Sequence, residues 1–164
     1  MRSYQVFASM SAERAAQLLE PLAQQVPSVF AQALAVASAA LKARPVYLLR
    51  QPFAKRAEAV RRSLSRVSSD PVASEVLAVY FLECRSELLV EWLDTAGLEH
   101  DEGTLKSDEP PPPADAKLRS AVDAFLAVDD DPDRPLLLGA FAAQDAIEWP
   151  LLDELIAAVS LTPR

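Results

Sequence analysis

DPVASEVLAVYFLECRSELLVEWLDTAG, residues 70–97, is the longest uninterrupted helical pattern in the chain. Asp70 can cap the first turn, because its carboxylate accepts hydrogen bonds from backbone N–H groups that have no intrahelical partner. Pro71 suits the first helical position, where a missing N–H costs nothing. Glu75 adds negative charge near the positive end of the helix dipole. Ala73, Leu77, Tyr80, Phe81, Cys84, Leu88 and Trp92 recur at spacings of three and four, which places them on one side of a helix. Val76, Val79, Leu82, Leu89, Val90 and Leu93 widen that side well beyond a narrow stripe. A helix apolar over so much of its circumference is central, with neighbours on several sides. Gly97 can take the left-handed conformation that ends a helix. The pattern predicts one helix over about 70–95, roughly 37 Å long at 1.5 Å per residue.

The flanking sequence supports an all-α fold of six or seven helices around this rod, in a mixed-angle bundle. Alanine is abundant, glycine is scarce, and β-branched runs are nearly absent. A chain of 164 residues, half of them hydrophobic, suits one all-helical domain over 1–164. Residues 1–10 read as an extended arm, with Tyr4 and Val6 on one face and Gln5 and Phe7 on the other. Ser11 caps a helix that Pro21 must kink or divide. Pro27 opens a helix to about Ala43, and Pro52 opens a basic helix over 52–68. Residues 98–114 form a long connection: a tight turn at Glu102-Gly103, anchored by Leu98 and Leu105, then a polyproline strap at Pro110–Pro113. Asp115 starts the next helix, Asp131-Pro132 another, and Trp149-Pro150 the last.

Charge is the least ordinary property. Residues 42–66 hold Lys42, Arg44, Arg50, Lys55, Arg56, Arg61, Arg62 and Arg66 against Glu58 alone, a local charge of +7, so the remainder of this −8 chain carries −15. Such a run is either a solvated, salt-paired face or a recognition surface. Lys55, Arg56, Arg61, Arg62 and Arg66 are the candidate partner-binding residues, and an acidic protein is the expected partner. Glu83, Glu87 and Glu91 stack at intervals of four on the central helix, a repulsive arrangement that wants a basic neighbour. The short link between the two helices would bring the basic one against that ridge, within one monomer or across a homodimer. Nucleic acid is the alternative ligand of the same helix, disfavoured by the overall negative charge and by the absence of a stacking platform.

Other chemistry is weakly signalled. His100 beside Asp101, with Glu83 or Glu87 in reach, would suit a small metal-dependent or hydrolytic enzyme. It is the single histidine. Cys84 as a nucleophile is opposed by its apolar helical face. One Cys and one His cannot make an ordinary zinc site. Asp129, Asp131 and Asp133 have the spacing of the first calcium ligands of an EF-hand. Arg134 and Ala140 then stand where that loop needs glycine and glutamate. Glycine-rich phosphate loops are absent. The expectation is a non-enzymatic interaction or regulatory domain with no metal and no cofactor. A lone cysteine, no evident signal peptide and no membrane-length apolar run place it in the cytoplasm, away from membranes.

Overall fold

The 70–97 stretch folds as two helices joined by a π-turn, in a computed structural model that describes residues 1–159. Helix α6 spans Asp70–Val79 and α7 spans Ser86–Ala96, with Tyr80–Cys84 as the π-turn between them. The Arg85 N–H bonds to the Tyr80 carbonyl at 3.1 Å, five residues back, and Arg85 itself leaves helical geometry (φ −138°, ψ 37°). One residue is thereby inserted into the helical ladder. The apolar side survives the insertion: Ala73, Val76, Leu77, Tyr80, Phe81, Leu88, Leu89, Trp92 and Leu93 are all buried. Leu82 instead lies at the surface, and Cys84 is half-buried. Gly97 ends α7 in the left-handed conformation (φ 71°).

Eight further α-helices surround this pair: α1 Ser3–Ser9, α2 Ala12–Gln25, α3 Pro27–Ala40, α4 Pro45–Leu49, α5 Phe53–Leu64, α8 Asp115–Leu126, α9 Asp133–Ala142 and α10 Pro150–Ala158. The fold is all-α, with ten helices among the described residues where six or seven were expected. The surplus comes from the divided central rod, from the one-turn α4 and from the N-terminal segment. Residues 160–164 of the expected 1–164 unit lie outside the described residues.

The N-terminal segment corrects the expected extended arm. Ser3, Val6, Phe7 and Met10 face the core, a spacing of three and four that a helix satisfies and a strand does not. The Tyr4 N–H donates to Asp70 Oδ1 at 2.9 Å, so Asp70 secures α1 while standing as the first residue of α6. Pro21 does not divide α2, which runs unbroken from 12 to 25 with Leu18, Leu19 and Leu22 fully buried around it. Burial on both sides holds the helix across the missing hydrogen bond.

Residues 98–114 connect α7 to α8. His100–Asp101 pairs with Thr104–Leu105 in a two-residue hairpin, and Glu102 (φ 48°) and Gly103 (φ 93°) make its turn, the doubly left-handed geometry that matches strand twist. The strap is tied down at Pro110, whose carbonyl accepts the Trp149 indole N–H at 3.0 Å. Trp92 meets Phe125 and Phe141, and Phe141 meets Trp149, with ring centroids 5.4–5.8 Å apart. This aromatic series joins α7, α8, α9 and the start of α10 in one continuous core that also takes in Val6, Phe7 and Leu18.

Candidate functional site

The basic helix α5 presents its cations unequally. Its inner side, Ala57, Val60 and Leu64, is fully buried, and it lies against α2 and α3, with smaller contacts to α1 and α6. Lys55 and Arg62 are seven residues apart and share one line along the outer side, and Arg66 follows in extended backbone two residues past the helix end. All three are exposed. Lys55 and Arg66 make no ion pair among the described residues. Arg62 is 73 % exposed while its Nε donates to Glu58 Oε1 at 2.6 Å.

Arg56 and Arg61 do not stand free as the sequence reading has them. The Arg61 guanidinium donates to both Glu58 oxygens, at 2.7 and 2.9 Å, and to the Met10 carbonyl at 3.2 Å. It fastens α5 to the end of α1. Arg56 is half-buried over the Phe53 ring, 5.3 Å from its centroid, and Phe53 in turn stacks on Phe30 at 5.7 Å. The hydrogen bond from Arg61 leads in holding the Glu58 carboxyl down at about 2; burial opposes it, and the hydrogen bond from Arg62 and the two arginine charges add to the lowering.

The expected meeting of α5 with an acidic ridge does not occur. The π-turn rotates Glu83 out of line with Glu87 and Glu91, and α5 sits on α2 and α3 instead. Among the described residues no cation of α5 pairs with Glu83, Glu87 or Glu91. Glu91 is met by Arg134 of α9, at 2.8 and 3.1 Å.

A second charged assembly was missed at the level of sequence. Asp133, at the start of α9, accepts hydrogen bonds from Arg14 of α2 and, at 2.9 Å, from the Tyr80 hydroxyl. Arg85 lies 3.0 Å from the same carboxylate and also bonds Asp131. Arg134 bonds Asp129 at 2.7 Å and the Phe125 carbonyl at 3.2 Å, with its guanidinium 4.7 Å over the Phe125 ring. The Arg14 and Asp133 side chains are only 8 % and 4 % exposed. Burial, then the adjacent Asp133 charge, raise the Tyr80 hydroxyl well above the ordinary phenol range. The three aspartates that mimic a calcium loop therefore face three arginines, and they act as anchors between helices. Beside them lies a polar recess of about 550 Å³ lined by Cys84, Arg85, Ser86, Glu87, Glu91, Asp131 and Arg134. Burial and, secondarily, Glu83 push the Cys84 thiol up, against nucleophilic use.

His100 is engaged structurally. Its Nδ1 accepts the Gly103 N–H at 3.2 Å, which leaves Nε2 to donate to Asp94 at 3.1 Å. Its partner is thus Asp94 on α7 and not Asp101, and the ring braces the hairpin turn against the helix. No three His, Cys, Asp or Glu side chains gather in a metal-binding group among the described residues. No helix among them is long and apolar enough to cross a membrane. A separate apolar groove of about 270 Å³ lies between the π-turn, the hairpin and α9, lined mainly by Leu77, Phe81, Leu89, Leu137, Phe141 and Ile147.

Comparisons with protein-family models, with curated proteins and with solved structures found no match to this chain.

Proposed function

We propose that this protein is a non-enzymatic interaction module that docks an acidic protein partner on the outer side of α5. The observation that carries the reading is the shared exposure of Lys55, Arg62 and Arg66. Among the described residues these exposed cations are met by no carboxylate but Glu58, in the +7 region of a chain that is −8 overall. Exposed cations of one sign steer an oppositely charged surface and fix its orientation more than they add affinity. Arg61 and Arg56 support this surface from beneath, the first through Glu58 and the second by stacking on Phe53.

The test is Arg62→Glu with Arg66→Glu in the full chain. Wild-type and reversed proteins are compared in capture from native extract, and each captured chain is identified by mass spectrometry. Loss of an acidic protein from the reversed sample, with far-ultraviolet circular dichroism unchanged, is the expected result. Equal capture by both proteins overturns the reading. Phosphate contacts would show instead as a steep linear fall of log affinity with log salt for a nucleic-acid probe.

A further inference from the structure

Seven large hydrophobic side chains are exposed among the described residues, and four of them fall within residues 41–49: Leu41 (53 %), Val46 (54 %), Tyr47 (59 %) and Leu49 (55 %). Scattered apolar side chains at a surface need no explanation, but a cluster does. The cluster is held in place. Leu48, 4 % exposed, pins the one-turn helix α4 to the core, and Pro45 fixes its start. With Leu48 turned inward, Val46, Tyr47 and Leu49 project outward.

Cations frame this cluster. Lys42, Arg44, Arg50 and Lys55 are exposed, none makes an ion pair among the described residues, and the sequence holds no acidic residue from 42 to 57. Lys42 is held in an unusual way. It adopts φ 51° at the end of α3, where its N–H bonds the Ala39 carbonyl at 3.1 Å and the next N–H, that of Ala43, bonds the Ser38 carbonyl at 3.0 Å. This is the helix-ending motif in which glycine is the ordinary occupant. A lysine there bears a conformational cost that glycine would not, and it stands in sequence between the exposed Leu41 and Val46.

We infer that the α4 turn is an apolar anchor continuous with the basic surface of α5, and that its occupant is an acidic amphipathic segment of a partner protein. Carboxylates of that segment meet Lys42, Arg44, Arg50 and Lys55, and its apolar side chains cover Val46, Tyr47 and Leu49. Charge complementarity selects this occupant over a neutral or basic one, and the uncovered apolar side chains select it over a purely acidic one. The inference rests on the proposed docking of an acidic partner and adds what kind of segment is docked.

The experiment uses the full chain and two labelled synthetic peptides of equal length and charge. One carries Glu with Leu at helical spacing, the other Glu with Gln. Fluorescence anisotropy should show the first binding about ten-fold or more tighter, the effect of roughly one further apolar side chain leaving water. Tyr47→Ser with Leu49→Ser should bring it down to the second peptide's level with an unchanged melting curve. Equal binding of the two peptides to the wild type overturns this inference and leaves the acidic-partner reading standing. Binding of neither peptide overturns both, whether or not the protein sediments with phosphatidylserine vesicles. Self-association abolished by the Tyr47 and Leu49 changes assigns the cluster to a second copy and also overturns it.

Discussion

At the scale of single residues, Lys42 and Asp133 each stand in a costly setting. Lys42 stands in left-handed backbone, which costs an L-residue roughly 1–2 kcal/mol. Part of that is offset because glycine loses more freedom on folding. Lys42→Gly should therefore stabilise the fold by up to about 1 kcal/mol in chemical denaturation, while weakening capture of the acidic amphipathic peptide. The opposite signs separate a cation kept for docking from one kept for folding. Asp133 is the second position. It is buried between Arg14 and Arg85 and accepts the Tyr80 hydroxyl. Asp133→Ala leaves the buried Arg14 charge without a carboxylate, and a loss of about 3–5 kcal/mol in urea unfolding is expected. Neither role can be read from composition. Asp133 looks like one more carboxylate at a helix start until a tyrosine 53 residues away and an arginine 119 residues away converge on it.

At the scale of elements, spacing was informative wherever one face of a helix decides. The inward Ala57, Val60 and Leu64 of α5, the inward residues of α7 and α8, the hairpin at Glu102-Gly103 and the left-handed stop at Gly97 follow from local chemistry, whereas Val67, next on the α5 spacing, is exposed because the helix has already ended at Leu64. The π-turn does not follow from local chemistry. An α-helix stacks residue 84 over residue 80, whereas the bond from Arg85 N–H to the Tyr80 carbonyl stacks residue 85 there. Both Tyr80 and Arg85 then reach Asp133, so the turn serves a tertiary partner and leaves no periodic trace in 70–97. The same insertion explains why the three glutamates form no ridge. The N-terminal helix was legible in principle: Val6, Phe7 and Met10 repeat at helical spacing, a signal obscured by the alternation of Tyr4, Gln5, Val6 and Phe7. Within α5, Glu58 links stability to docking. Its carboxyl is depressed in the folded state, so its contribution is complete above pH 4.5 and is lost as pH falls to about 2. Glu58→Gln should flatten that part of the stability curve and loosen Arg61. It also removes the one anion among the cations of residues 42–66, so it should strengthen binding of the acidic peptide.

At the scale of the whole molecule, the buried framework was easier to read than the surface. Burial obeys an apolar pattern that any sequence displays, while an exposed cation looks the same whether water, Glu58 or a partner meets it. Of the five candidate cations, Lys55 and Arg62 face outward on α5, Arg66 is exposed just past its end, and Arg56 and Arg61 are built into the packing beneath. The apolar companions at 41–49 carry no surface signature in the sequence, because Val46, Tyr47 and Leu49 share their short turn with Leu48, which does face inward. A further property follows from the strap. Lys106–Glu109 is exposed, but Pro110 just beyond it is bonded to Trp149, and the aromatic core runs through α7, α8 and α9. Backbone continuity across that loop is not what keeps the two portions of the chain together. A protease clipping after Lys106 would yield a nicked protein whose fragments stay associated, and the same point is a natural seam for splitting the chain into complementing halves.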